Sequence, residues 1–352
     1  MSNALSTLQR ALDVNTPTII WGPPGIGKTD RISQEAARRD WHMETVISSV
    51  RQPDDFAGLP HITDDGVILV PPDWGKRLAT SEAPSILFLD EISCAAPATQ
   101  GALLRVVLER VVGDLKLPDN VRVIAAANPP EQAAGGWDLS LPLANRFLHI
   151  NWPAPTVSEW SLWAMSKVAR LPSHGASRIA AFLSRRPELL IQVPESETEG
   201  GGAWPSPRSW ALAARLLGDG GIDRNTLIGI ITGTVGEAPA IEFADFDQDA
   251  SQLRDPEELL ANPESWCPSP ERLDLVFTSM HAVAHAVTSD LTPPRWDAAW
   301  KLLDQARDVA ADSVLAVGSV LARSGLQRSD LMAPLWLRGM KEDLDELDRV
   351  SR

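Results

Sequence analysis

Short apolar runs recur through the first 150 residues, and stretches with helical spacing lie between them. TPTIIW (16–21), ETVISS (44–49), SILFLDE (85–91), VRVIAAAN (121–128) and RFLHINW (146–152) lack the strict alternation of a half-exposed strand. They predict strands buried on both faces, as in a parallel sheet. Between two of them, ATQGALLRVVLERVV (98–112) predicts a helix with Leu103, Leu104, Val107 and Val111 on one face. Strand and helix in alternation predict an α/β layered domain.

From Pro155 onward the strand pattern fades and helical spacing dominates. TVSEWSLWAMSKVAR (156–170), SRIAAFLSRR (177–186), SPRSWALAARLLG (206–218) and RNTLIGIITGTVG (224–236) each predict a helix. So do PERLDLVFTSMHAVAHAV (270–287) and PPRWDAAWKLLDQARDVAA (293–311). Residues 192–207 predict a polar, Gly- and Pro-rich loop, 242–270 form another polar and acidic stretch, and the charged tail KEDLDELDR (341–349) predicts a solvated helix end. Pro153-Ala154-Pro155 is the expected main boundary, and with a second division after residue 245 the parts are 1–153, 154–245 and 246–352. No internal repeat is evident.

Composition narrows the classes. With 352 residues and 44% hydrophobic residues the chain can bury a sizeable core. No run reaches membrane-span length, and the amphipathic MSNALSTLQRALDV does not resemble a signal peptide. Two cysteines, Cys94 and Cys267, predict free thiols and fit a reducing cytoplasm. A formal charge of −15 repels phosphate backbones, so bulk nucleic-acid binding is disfavoured, although a local basic channel in an oligomer is compatible with it.

The candidate chemistry lies in WGPPGIGKT (21–29), between an expected strand and an expected helix. Gly22, Pro23, Pro24, Gly25, Ile26, Gly27, Lys28 and Thr29 fit G-x-x-x-x-G-K-[ST], with Asp30 beginning the helix beyond. Backbone N–H groups from Gly25 to Thr29 can wrap a β-phosphate at a helix N-terminus. The two prolines donate no N–H and stiffen the turn. Lys28 reaches the β- and γ-phosphates of ATP, and the Thr29 hydroxyl ligates Mg²⁺. A second element, ILFLDE (86–91), is an apolar strand ending in two carboxylates. Asp90 would sit by Mg²⁺ through its waters, and Glu91 would orient the attacking water.

With these motifs on the page the chain resembles an AAA+ ATPase, and more narrowly the MoxR family. DDFAGLPHITDDGVILVPPDWGKRL (54–78) is similar to that family's segment with a β-hairpin insert. LDEISCAAPATQGALLRVVLERVVGD (89–114), VIAAANPPEQAAGGWDLSLPLANRF (123–147) and WPSPRSW (204–210) resemble its acidic, Asn-Pro, Arg-Phe and Ser-Pro-Arg segments. The likeness covers roughly residues 15–240. It implies an AAA+ nucleotide-binding domain over 1–153, a helical lid over 154–245 and further helices over 246–352. It implies that Asn128 holds the lytic water or γ-phosphate, that Arg146 is an arginine finger acting across a subunit interface, and that Arg208 reaches back from the lid. Arg110 either faces the neighbour's nucleotide or is a solvated helix end. The resemblance further implies a homo-oligomeric ring, a hexamer, in which ATP hydrolysis changes the angle between domain and lid. Similar proteins are chaperone-like remodellers paired with von Willebrand A-type proteins. A nucleic-acid motor or loader on the same fold, and a ring whose nucleotide state acts as a switch or scaffold, are the alternatives. The hairpin near Gly66–Val70 and the turn Gly113–Pro118 are the implied central-surface elements. Ser93 and Cys94 depart from the Asn-Arg usual in the family.

Three other features carry less. His281 and His285 lie one helical turn apart but lack the intervening Glu of a metalloprotease, and read as a pair near a helix surface. Trp296, Trp300 and Leu303 share a helical face and read as core. Glu242 and Ala244–Asp249 lack the glycine and terminal Glu of an EF-hand and read as a solvated loop.

Overall fold

The computed structural model describes residues 2–129, 137–166, 168–194, 201–218, 221–250, 254–325, 330–331 and 334. The charged tail 341–349 lies outside them. The chain divides into two compact units, Met1–Ala154 and Pro155–Arg352.

The first unit opens with α1 (Ser2–Asp13), whose Leu5, Leu8, Ala11 and Leu12 are buried, so its apolar stripe faces the core. Then follow β1 (Thr18–Trp21), α2 (Lys28–Arg38), β2 (His42–Ile47), α3 (Asp54–Ala57), β3 (Leu59–Thr63), β4 (Gly66–Val70) and α4 (Asp73–Ala79). Next come β5 (Ser85–Asp90), α5 (Pro97–Glu109), β6 (Val111–Val112), β7 (Leu115–Lys116), β8 (Val121–Ala127), α6 (Leu141–Ala144) and β9 (Leu148–Asn151). The five apolar runs make one parallel sheet in the order β2-β5-β8-β1-β9. Ile86, Leu87, Phe88 and Leu89 are all fully buried, as a strand covered on both faces requires.

The register places chemistry at one end of the sheet. Trp21 stands beside Ala127, and Ile47 beside Asp90, so the residues just past each strand come out together. This is the carboxyl end of the strands, where open α/β sheets hold their ligands.

Two small hairpins leave the sheet. β3 and β4 pair around Asp64–Asp65, and β6 and β7 around Gly113–Asp114. The two are fastened together. Asp114 accepts the Leu69 N–H through its carboxylate at 2.7 Å, and its own N–H donates to the Leu69 carbonyl at 3.0 Å. Gly58 (φ 88°) and Gly113 (φ 60°) meet so closely that a Cβ on Gly58 would lie 2.6 Å from the Gly113 Cα. The outer hairpin exposes Leu59, Ile62, Val67 and Ile68, with Ile62 82% exposed.

The predicted helix 98–112 ends earlier, at Glu109. Arg110 takes the left-handed conformation (φ 55°), and Val111 leaves the helical face to pair with Lys116. The turn at Gly113 draws two β-branched residues into a hairpin against their helical spacing.

The second unit is all helical among the described residues: α7 (Val157–Ala164), α8 (Ser173–Arg185), α9 (Pro207–Leu217), α10 (Arg224–Val235), α11 (Glu237–Ala250), α12 (Pro256–Ala261), α13 (Leu273–Ser289), α14 (Pro293–Ala306) and α15 (Ala311–Gly325). The helix predicted over 156–170 stops at Ala164; its start is fixed by a Thr156–Glu159 capping box. One core gathers Trp160, Phe182, Trp210, Phe243 and Phe246, with the Phe182 and Phe243 rings 5.2 Å apart. A second gathers Val276, Trp296, Trp300, Leu303, Val314 and Leu321. Trp296, Trp300 and Leu303 are core residues, as read.

Three expectations fail here. Ala244–Asp249 is not a loop but part of α11, with Phe243 and Phe246 inward. Three of its acids are paired with arginines: Glu242 with Arg186, Asp245 with Arg224 at 2.9 Å, and Asp247 with Arg178 at 2.6 Å. His281 is not near the surface but 4% exposed, beneath Phe277, and burial pushes its pKa down to about 4. α15 was not anticipated, although Val314, Val317 and Leu321 form its buried stripe.

Candidate active site

The glycine loop joins β1 to α2. Gly25 (φ 77°) and Gly27 (φ 88°) adopt backbone that L side chains rarely take, and Gly27 is the N-cap of α2. A Cβ at Gly27 would meet nothing within 4 Å. Gly22 has the opposite reason. A Cβ there would lie 2.7 Å from both the Ile26 Cδ1 and the Trp152 carbonyl oxygen. Ile26 is buried, Pro23 and Pro24 flank the turn half-buried, and Asp30 is exposed in the first turn of α2.

Lys28 turns back over this loop. Its ammonium donates to the carbonyls of Gly22 (2.7 Å) and Pro23 (3.0 Å) and to the Asn128 Oδ1 (2.8 Å). Asn128 comes directly off β8, beside β1. Thr29 donates its hydroxyl to the Asp90 Oδ2 at 2.9 Å, while the Asp90 Oδ1 accepts the Glu91 N–H at 3.0 Å. A hydroxyl and a carboxylate in contact are the hard oxygen donors that Mg²⁺ takes, so this pair fits the metal. Glu91 is exposed and left-handed (φ 54°), and its Oε2 accepts the Ser49 hydroxyl at 2.5 Å. Thus Lys28, Thr29, Asp90, Glu91 and Asn128, read from sequence as one site, stand together at the strand ends.

Ser49 was missed. The signal was the parallel register: Ile47 pairs with Asp90, so a residue just past β2 falls beside Glu91. Gln100 was missed too. Its buried amide donates to the carbonyls of Ala95 (3.1 Å) and Asp138 (3.2 Å) and accepts the Ser140 N–H (2.8 Å). It thereby fixes the start of α6. Just past α6, Arg146 is exposed between two buried anchors, Leu143 and Phe147.

Arg110 corrects its expectation. Its guanidinium is neither a solvated end nor turned outward: it donates to the Val121 carbonyl and, at 2.9 Å, to the Asn15 Oδ1. Burial lowers its pKa, as a desolvated cation requires. Ser93 is buried, and its carbonyl accepts the Trp137 N–H at 3.0 Å. Burial, reinforced by nearby Glu91, pushes the Cys94 thiol up.

An open cleft of about 580 Å³ adjoins the loop's first glycine through Trp152. It is walled by Asn3 and Thr7 of α1 and by His149, Asn151, Trp152 and Pro153. In the second unit, Arg208 is exposed in the first turn of α9, which begins with a Ser206–Ser209 capping box.

Residues 17–147 match the AAA domain, dynein-related subfamily. This segment is an AAA+ ATPase domain. No curated protein matches the chain. Among solved structures the chain is similar to the Thermotoga maritima RuvB Holliday junction branch migration motor: 15% identity, 84% of this chain and 86% of that one, TM-score 0.37. It is also similar to NtrX from Brucella abortus in complex with ADP: 17% identity, 81% of this chain and 64% of that one, TM-score 0.39. Among the described residues no helix is long and apolar enough to cross a membrane, and no group of three or more His, Cys, Asp or Glu side chains gathers as for a metal ion.

Proposed function

We infer that the chain hydrolyses ATP at the strand ends and uses the resulting motion to remodel a partner protein, as a chaperone-like ring. The observation that carries the reading is the linked set Lys28–Asn128, Thr29–Asp90 and Glu91–Ser49, gathered beside the glycine loop at the carboxyl ends of the strands. Amides at the start of α2 bind the phosphates, and Lys28 exchanges its carbonyl partners for phosphate oxygens. Thr29 and Asp90 hold Mg²⁺, which, when bound, neutralises phosphate charge. Glu91 orients and polarises the attacking water, and Asn128 steadies water or γ-phosphate.

Arg146 is read as completing the neighbour's site. An exposed guanidinium between two buried anchors suits that task, since it keeps its charge and a fixed root. Arg208 is read as a lid contact to the phosphates. A cation in a helix's first turn opposes the helix dipole, so helix stability gives no reason for its position. The role of Arg146 implies a ring, proposed to be a hexamer. The MoxR resemblance supports a protein client and a von Willebrand A-type partner. The exposed aliphatic hairpin and the acidic charge favour a protein over a nucleic-acid partner.

The test is phosphate release by the full chain with ATP and Mg²⁺, together with capture by the Glu91→Gln variant as bait in its host extract. Remodelling predicts ATP-dependent capture of a protein that then stimulates hydrolysis by the parent chain. Stimulation by DNA alone would replace this reading with a nucleic-acid motor. Stimulation by neither would leave a switch or scaffold.

A further inference from the structure

Trp21 ends β1 and directly precedes the glycine loop; His149 lies on the neighbouring edge strand β9. The Trp21 Nε1–H donates to the His149 Nδ1 at 2.9 Å, and the rings lie nearly parallel, 14° apart, with centroids 5.9 Å apart. An indole nitrogen can only donate, so Nδ1 carries the lone pair and the imidazole proton sits on Nε2. That nitrogen lies 2.9 Å from the Ala144 carbonyl oxygen, which accepts the proton. The two partners thus fix both the tautomer and the plane of the ring. Ala144 is the last residue of α6, and Arg146 follows two residues on.

We propose that His149 is a positioning residue for Arg146. It bridges the strand that leads into the glycine loop and the end of the helix that presents the guanidinium. The loop of one subunit and the arginine it offers to the next are thereby held in one geometry. This rests on Arg146 acting across the interface, as proposed above.

The experiment uses the full chain, reading phosphate release at saturating ATP alongside binding of a fluorescent ADP. His149→Ala should lower kcat by about 10–100-fold, the cost of a displaced catalytic group, while ADP affinity and KM stay within about threefold. His149→Gln should return kcat to within about threefold of the parent, because an amide oxygen can accept from Trp21 and its NH₂ can donate to Ala144. Mixing the His149→Ala and Lys28→Ala proteins should also restore hydrolysis. The Lys28→Ala subunit would offer a well-placed Arg146 to the intact loop of its His149→Ala neighbour. A variant that was merely misfolded, or damaged in its own loop, would not recover. Parent-like kcat in His149→Ala beside an inactive Arg146→Ala overturns the proposal, as does failure of both the Gln variant and the mixture to restore activity. If Arg146→Ala itself hydrolyses at the parent rate, the trans reading falls, and the role of His149 with it.

Discussion

Gly58→Ala probes the joint between the two hairpins. Gly58 sits at φ 88°, ψ 152°, a region nearly closed to other residues, and forcing alanine into it costs about 1–3 kcal/mol. The new methyl would lie 2.6 Å from the Gly113 Cα and 3.1 Å from the Leu69 Cβ. The nearer neighbour is backbone and cannot swing aside, so overpacking adds about 1–3 kcal/mol. Together these make about 2–6 kcal/mol, against a typical domain stability of about 5–15 kcal/mol. The strain is relieved most easily by parting the hairpins. Urea unfolding should therefore show a stability loss in that range. Hydrogen exchange should show the amides of Leu69 and Gly113, which donate to Asp114 and Phe56, losing protection together. Amides of β1, β5 and β8 should keep theirs, and nucleotide binding should be retained. A variant within about 0.5 kcal/mol of the parent, the range of an inconsequential surface change, with both amides still protected, would refute the reasoning.

Ser49→Ala removes the hydroxyl that orients Glu91 and should lower kcat about tenfold with ATP affinity little changed, while Ser49→Thr stays near the parent; steady-state kinetics decides. Gln100→Leu strands the Ser140 amide and two carbonyls, costing about 2–4 kcal/mol in urea unfolding. His281 gives a pH signature. Its folded pKa of about 4 lies below the ordinary 6.5, so the folded state binds fewer protons between those values. Its contribution is complete above pH 6.5 and is lost as pH falls toward 4, on the order of 3 kcal/mol. Melting of the parent and of His281→Leu across that window should diverge, with the variant less sensitive to acid.

The centre of the sheet was legible because buried parallel strands are apolar throughout, as in β1, β5 and β8, whereas the edge strands β2 and β9 are mostly exposed or half-buried, against the expectation of burial on both faces. The glycine loop was legible because left-handed backbone at Gly25 and Gly27, leading into a helix start, demands particular residues at fixed spacing. What stayed hidden depended on distant partners. The acids of α11 looked solvated until Arg178, Arg186 and Arg224 met them. Val111 kept helical spacing, but the turn at Gly113 claimed it for a hairpin. Ser49, Gln100 and His149 are ordinary polar residues until register and packing bring Glu91, Ser140 and Ala144 to them.

The sharpest measurement is single-turnover phosphate release by Glu91→Gln with ATP and Mg²⁺. ATP should bind with parent affinity while the rate falls about 100-fold or more, the share of a positioned general base. Release at the parent rate would mean that the carboxylate at the end of β5 does not activate water.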